Sequence, residues 1–174
     1  MDKPSPTRLS PAKRVAFYGI FTALALLLGY VEASVALPLP VPGAKLGLPN
    51  LVILLALYLL GPRTAGGLTV LRVTLSALLF SGFSAFWFSL AGALLSWTVM
   101  CLTYRLPRLG VVGVSVLGGV CHNLGQLLVA GLIIQNLSIL GYLPLLMAFG
   151  VAAGALLGIV AAACLPRLQR LVAP

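Results

Sequence analysis

The sequence predicts an all-α integral membrane protein, a six-transmembrane-helix bundle with its N- and C-termini cytoplasmic. Three observations predict it. Of 174 residues, 61% are hydrophobic and only 7% are charged, at a mean hydropathy of +1.15. A soluble domain of this size has too little interior to hide that much apolar surface, so the solvent is lipid. The apolar residues fall into six runs bounded by Pro, Gly or basic residues. Finally, the Lys and Arg residues gather at the ends of those runs.

Residues 1–14 are polar, Pro-rich and basic, and read as a cytoplasmic tail. The apolar run that follows is too long for a signal-peptide core and lacks a clear cleavage site, so it reads as a retained helix. This first helix covers 15–37 and ends at Pro38-Leu39-Pro40. A Pro/Gly-rich loop leads to a second, shorter run over 47–60, with Pro49 tolerable in its first turn. About 20 residues are needed to cross the hydrocarbon, so this run either tilts little or lies partly buried among its neighbours.

Gly61-Pro62-Arg63 closes the second run, and the third spans 65–80. Ser81-Gly82 turns into the fourth, 85–104, which Arg105-Leu106-Pro107-Arg108 terminates. The fifth covers 111–134 and the sixth 142–165, before Pro166-Arg167 opens a basic cytoplasmic tail over 166–174. Residues 15–165 thus form one membrane domain.

With the N-terminus inside, the cytoplasmic side receives Lys3, Arg8, Lys13, Arg14, Arg63, Arg105, Arg108, Arg167 and Arg170. The outer side receives only Lys45, and Arg72 lies within a helix. That is a positive-inside pattern for the cytoplasmic membrane. It also accounts for the formal charge of +9 as a topology signal; no nucleic-acid partner is expected. Cys101, Cys121 and Cys164 fall inside apolar runs without ligand-like spacing and read as small buried hydrophobes. One His with no carboxylate or Cys cluster cannot hold a metal, so neither metal nor cofactor is expected.

So few polar groups remain that each needs a reason. Arg72 lies about eight residues into the third helix, roughly 12 Å from the inner edge, and His122 is at a similar depth, roughly 15–17 Å, in the fifth. A charge there costs at least ~2.5–3.5 kcal/mol and should face the bundle interior. Arg72 then either meets a ligand or braces neighbouring carbonyls. His122, Asn123 and Gln126 share one broad helix face; they contact a ligand or act as interhelical glue.

At the outer end, Glu32 is the sole carboxylate of the membrane region, Lys45 the sole external base, and Asn50 opens the second helix. Glu32 and Lys45 could form a plain ion pair. Alternatively the Lys45 loop lies back over a cavity and meets an anion, reinforced by the positive end of helix two. By depth, the Lys45 loop is a lid at the mouth and the His122 face is the floor. Small residues line two helices: Gly150, Gly154 and Gly158 in the sixth, and Ala12, Ala16, Gly19 and Ala23 in the first. Such faces allow close approach, intramolecular for the sixth helix and available to a partner protein for the first.

The strings Pro42-Gly43-Ala44-Lys45-Leu46-Gly47-Leu48-Pro49-Asn50, Leu57-Tyr58-Leu59-Leu60-Gly61, Phe88-Ser89-Leu90-Ala91-Gly92 and His122-Asn123-Leu124-Gly125-Gln126 carry a resemblance. The chain resembles the Gx transporter family, whose members often bear the label heptaprenyl diphosphate synthase component I. Pro49 departs from the small residue expected there. The family in turn is similar to the substrate-binding (S) components of energy-coupling-factor transporters, six-helix proteins whose first helix docks a coupling subunit.

The resemblance implies that Lys45 and Asn50 belong to a lid and rim, that His122, Asn123 and Gln126 line the pocket, and that Ala16, Gly19 and Ala23 dock a partner. The expected function is capture of a small anionic or polar-headed organic molecule, an isoprenoid or quinone precursor being one candidate. Its partners would be that small molecule, membrane lipid, a coupling transmembrane subunit and ATPase subunits.

The family label names a prenyl synthase, yet Asp2 and Glu32 are the only carboxylates and cannot build the magnesium-holding aspartate clusters such catalysts need. The chain is therefore not expected to be an enzyme. With no phosphate loop, it cannot hydrolyse ATP alone. A non-catalytic accessory subunit of a polyprenyl diphosphate synthase and a stand-alone carrier remain as alternatives.

Overall fold

The computed structural model describes residues 10–34, 47–135 and 137–172. They are helical nearly throughout: α1 (Pro11–Ser34), α2 (Leu48–Leu60), α3 (Pro62–Ser76), a π-helical turn (Ala77–Ser81), α4 (Gly82–Thr103), α5 (Val111–Ile134), a 3-10 turn (Leu137–Tyr142) and α6 (Leu143–Val172). By length and composition, four runs among them can cross a membrane: Pro11–Ser34, Pro62–Thr103, Val111–Ile134 and Ser138–Leu171.

The run Pro62–Thr103 is not straight. Trp97 Nε1 donates to the Pro62 carbonyl at 3.1 Å across 35 residues, a separation of roughly 50 Å along a continuous helix. The chain reverses at Gly82, whose φ of 77° and ψ of 168° suit only glycine. So α3 and α4 are antiparallel arms, and Gly66 is the gap into which the Trp97 indole fits.

Short α2 forms the centre. Val52, Ile53, Leu54, Ala56 and Leu57 are all buried, and a helix apolar on every side is one covered on every side. The core around it takes Phe21 and Ala25 from α1, Leu68 from α3, Met100 from α4, Val114 from α5, and Ala161 and Leu165 from α6.

α5 and α6 meet backbone to backbone. A Cβ on Gly150, Gly154 or Gly158 would lie 2.9, 2.7 and 2.7 Å from the Cα of Val120, Val116 and Val112 in turn. The partners descend as the glycines ascend, so the helices are antiparallel and each glycine admits the neighbouring backbone. The small-residue face of α6 is thus consumed inside the molecule. On α1, by contrast, Ala12, Ala16, Gly19 and Ala23 are exposed, and nothing lies within 4 Å of a Cβ placed on Gly19.

Two boundaries differ from the sequence expectation. α1 starts at Pro11, not at 15, because Ser10 caps it: the Lys13 N–H donates to Ser10 Oγ at 3.4 Å, and proline suits a first helical position. α6 does not stop at Pro166 but continues to Val172 with the proline inside it. Pro166 is exposed, while Leu165 is buried and Leu168 packs against the core. Tertiary packing holds the last turns across the missing hydrogen bond.

Large apolar side chains stand outward around the bundle, including Val15, Leu27, Leu78, Phe83, Leu102, Leu132 and Leu156. Such a surface is stable only against lipid, and the protein is a multi-pass membrane protein. Tyr18 lies beside Gly67, Tyr58 beside Tyr104, and Val112 beside Gly158. These contacts bring Lys13, Arg14, Arg63, Arg105, Arg108, Arg167 and Arg170, all exposed, to one end of the bundle.

Candidate functional site

The site is built at the opposite end, around the start of α2. Gly47 precedes that helix in the left-handed conformation, φ 78° and ψ 32°, and offers no side-chain cap. Pro49 has no N–H to give. The Asn50 N–H already reaches the Gly47 carbonyl at 2.7 Å. Two donors remain at the helix start, the N–H groups of Gly47 and Leu48, and both donate to Glu32 Oε1 from α1. Glu32 thus caps α2 from another helix, its negative charge on the positive end of the helix dipole.

Behind Glu32 lies Arg72 of α3, 8% exposed. Its Nη2 donates to Asn50 Oδ1 at 3.1 Å, and Glu32 is its Coulombic partner. Its Nε is buried without a hydrogen-bond partner. A guanidinium keeps its proton, so its charge has to be balanced in place. Arg72 therefore has donor capacity that the described protein groups leave unused.

A small pocket opens there, lined among others by Glu32, Gly47, Arg72, Ser76, Ser89 and His122, with space for about one or two water molecules. His122 is buried on α5. Its placement depends on Gly92 of α4, where a Cβ would lie 2.6 Å from the His122 carbonyl oxygen and 3.1 Å from its Nδ1. Gly125 repeats the device one turn on, 2.8 Å from the Ala91 carbonyl oxygen.

The structure therefore gathers Glu32, Asn50, Arg72 and His122 around one spot. Asn123 turns away, as the roughly 100° step between successive helical residues requires: its Nδ2 donates to the Leu146 carbonyl of α6 at 2.8 Å. Gln126 is buried with its Cγ against Gly92. Lys45 lies outside the described residues. Ala16, Gly19 and Ala23 lie on α1 away from the pocket, on the open face described above.

The separation into an outer lid and a deep floor does not hold for the end of the first polar string. A Cβ on Gly47 would stand 3.9 Å from His122 Cδ2, and Asn50 bonds Arg72 directly. The cause is the length of α2: thirteen residues reach only about 20 Å, so its start falls beside His122, part-way along α5, and not at the end of the longer helices. Nor is the positive end of α2 open to an incoming anion, since Glu32 occupies it. Two lining residues were missed from sequence. Ser76 is one helical turn beyond Arg72, and Ser89 is three residues before Gly92 on the helix that packs on His122; the helical period applied outward from Arg72 and Gly92 finds both.

A family model for heptaprenyl diphosphate synthase component I matches residues 21–164, from the core-facing Phe21 of α1 to Cys164 in α6. Comparison with curated proteins and with solved structures finds no match. With a match spanning all six α-helices and well over half of its length, the chain belongs to the heptaprenyl diphosphate synthase component I family.

Proposed function

We propose that the protein is the substrate-binding membrane component of an energy-coupling-factor-type importer. It captures a small anionic or polar-headed organic molecule from the outer face. The six helices form one domain of the cytoplasmic membrane in this reading, the short α2 reaching only part of the way across, with both termini cytoplasmic, as the gathering of basic residues at one end supports. The observation that carries it is Arg72, a permanently charged side chain buried beside a pocket with its Nε unspent. A buried ionisable group inside a membrane bundle marks a ligand path by default.

Glu32, Arg72 and His122 face the ligand, with Asn50 holding Arg72 and the loop bearing Lys45 as cover. Asn123 and Gln126 keep α5 in register with α6 and α4. The pocket holds little as it stands, so capture requires the site to open. The exposed small-residue face of α1 at Ala16, Gly19 and Ala23 docks a coupling transmembrane subunit, which brings the ATPase subunits the chain cannot replace. The chain is not itself a catalyst, because Asp2 and Glu32 are its only carboxylates and Glu32 is committed to α2.

The family description favours a second reading, a non-catalytic membrane subunit of a polyprenyl diphosphate synthase. Co-purification from native membranes in mild detergent separates the two. Recovery with ATPase subunits is expected; recovery with a soluble prenyl synthase subunit and no ATPase establishes the second reading. Recovery alone leaves a stand-alone carrier. Mass spectrometry of small molecules retained by the wild type and lost from His122→Ala then identifies the cargo.

A further inference from the structure

We propose that Glu32 is a built-in occupant of the ligand's anion seat. In the empty protein its carboxylate fills a position shaped for an anionic head group, and a carboxylate-bearing ligand takes that position and releases the end of α1. The proposal rests on the substrate-binding reading above and adds the chemical class of the head group and the way its arrival is transmitted.

The seat has two independent components. One is the start of α2, where Pro49 leaves only the Gly47 and Leu48 N–H groups free, and both converge on one oxygen, Glu32 Oε1. The other is Arg72, more than nine-tenths buried, with an Nε that has no partner and an Nη2 held by Asn50. Two convergent backbone donors with a guanidinium behind them are the donor set that binds a carboxylate or a phosphate oxygen.

No second anion fits alongside Glu32. The pocket has space for about one or two waters, less than a carboxylate-bearing molecule needs. An arriving carboxylate therefore replaces the resident one. Glu32 sits in the last turn of α1, whereas Asn50 stands on the central helix α2 and Arg72 is buried in α3.

Displacement also unties α1 from α2 at this end. The same helix carries the open Ala16, Gly19 and Ala23 face toward its other end. Occupancy of the seat thus reaches the docking helix through one side chain, without a second moving part.

The test uses the full chain in nanodiscs with sodium acetate as the probe, against sodium chloride at equal ionic strength. Glu32→Ala is expected to melt about 5 °C below wild type in chloride. Acetate should restore most of that loss in a saturable manner, with less effect on wild type, whose seat is filled. Hydrogen exchange should show the Gly47 and Leu48 amides exposed in the variant and protected again by acetate.

Equal responses of variant and wild type to acetate overturn the proposal. If Glu32→Ala accumulates only when purified in acetate, that supports it; failure to fold in either salt counts against it. Glu32→Gln, which keeps the side-chain volume, should respond in the same direction by a smaller amount, and no response overturns the proposal. Nanodiscs with and without anionic lipid separate the sources: restoration by anionic lipid without acetate assigns the seat to a lipid head group and refutes the soluble ligand. None of these readouts depends on ATPase partners, so failure of the importer reading leaves the result intact.

Discussion

The α5–α6 contact allows a stability change to be worked from distances. In Gly154→Ala the new methyl would lie 2.7 Å from Val116 Cα and 2.8 Å from the Ser115 carbonyl oxygen. Carbon–carbon contact is comfortable at ~3.5–4.0 Å, so the helices must part by roughly 1 Å. Both obstacles are backbone, and no rotamer change relieves them. Overpacking against backbone lies at the upper end of the usual range, about 2–3 kcal/mol, offset by about 1 kcal/mol gained when alanine replaces a helical glycine. The net loss is about 1–2 kcal/mol, or a melting temperature lower by roughly 2–8 °C for a chain of this length. Gly19→Ala is the control: nothing lies within 4 Å of its new methyl, so only the propensity gain remains and melting should rise by about 2–4 °C. Gly158→Ala, 2.7 Å from Val112 Cα, should match Gly154→Ala. The double variant should lose less than the sum, because helices already parted accommodate the second methyl. Thermal melting of detergent-solubilised protein reads all four. If Gly154→Ala melts at or above wild type, the close approach of the two backbones is wrong.

Arg72→Met should destabilise by about 1–3 kcal/mol by removing the guanidinium that donates to Asn50 Oδ1, and should abolish retention of the cargo on the purified protein; normal retention by the folded variant removes Arg72 from the site. Arg72→Lys keeps the charge but not the planar donor set, so it should recover stability more than binding. Asn123→Ala should cost about 0.5–1.5 kcal/mol by removing its hydrogen bond to the Leu146 carbonyl, with cargo affinity of the folded fraction unchanged; a selective loss of affinity at unaltered stability would place Asn123 in the pocket instead. Trp97→Phe removes the hydrogen bond to Pro62 and should lower stability by about 0.5–1.5 kcal/mol, measured as earlier unfolding in a thermal ramp; an unchanged transition would show that this bond does not tie α3 to α4.

Much of this was legible in the chain, and what was hidden has physical causes. Apolar runs punctuated by Pro and Gly locate helices because lipid leaves backbone groups no other partner. The glycines of α6 revealed a close helix contact because a four-residue step of missing side chains has few other uses in a membrane. Arg72 stood out because burying a charge needs a reason. Ser10 was legible but passed over: a serine before proline is a helix start even when the apolar run begins four residues later. Pro166 misled because a local rule met core contacts at Leu165 and Leu168 that no local rule contains. The depth of α2 was beyond sequence arithmetic, which counts residues from a membrane edge and assumes that each helix begins there. Asn123 was assigned with His122 because a three-residue polar cluster covers so wide an arc that its members can serve two different helices.

Pro49 and Glu32 explain each other. An ordinary residue at position 49 would leave a third N–H near the start of α2, more than one carboxylate oxygen can satisfy in this geometry. Proline removes that donor and limits the requirement to two, which Glu32 meets from α1. The same carboxylate offsets Arg72, which could not remain buried in a lipid-embedded bundle as a lone charge. One side chain therefore satisfies a helix end and offsets a cation. That economy has a consequence for binding. In the exchange proposed above, an arriving anion takes the place that Glu32 holds at the start of α2. Glu32 is part of α1, so the proposed exchange would couple recognition of an anionic head group to release of the end of the first helix.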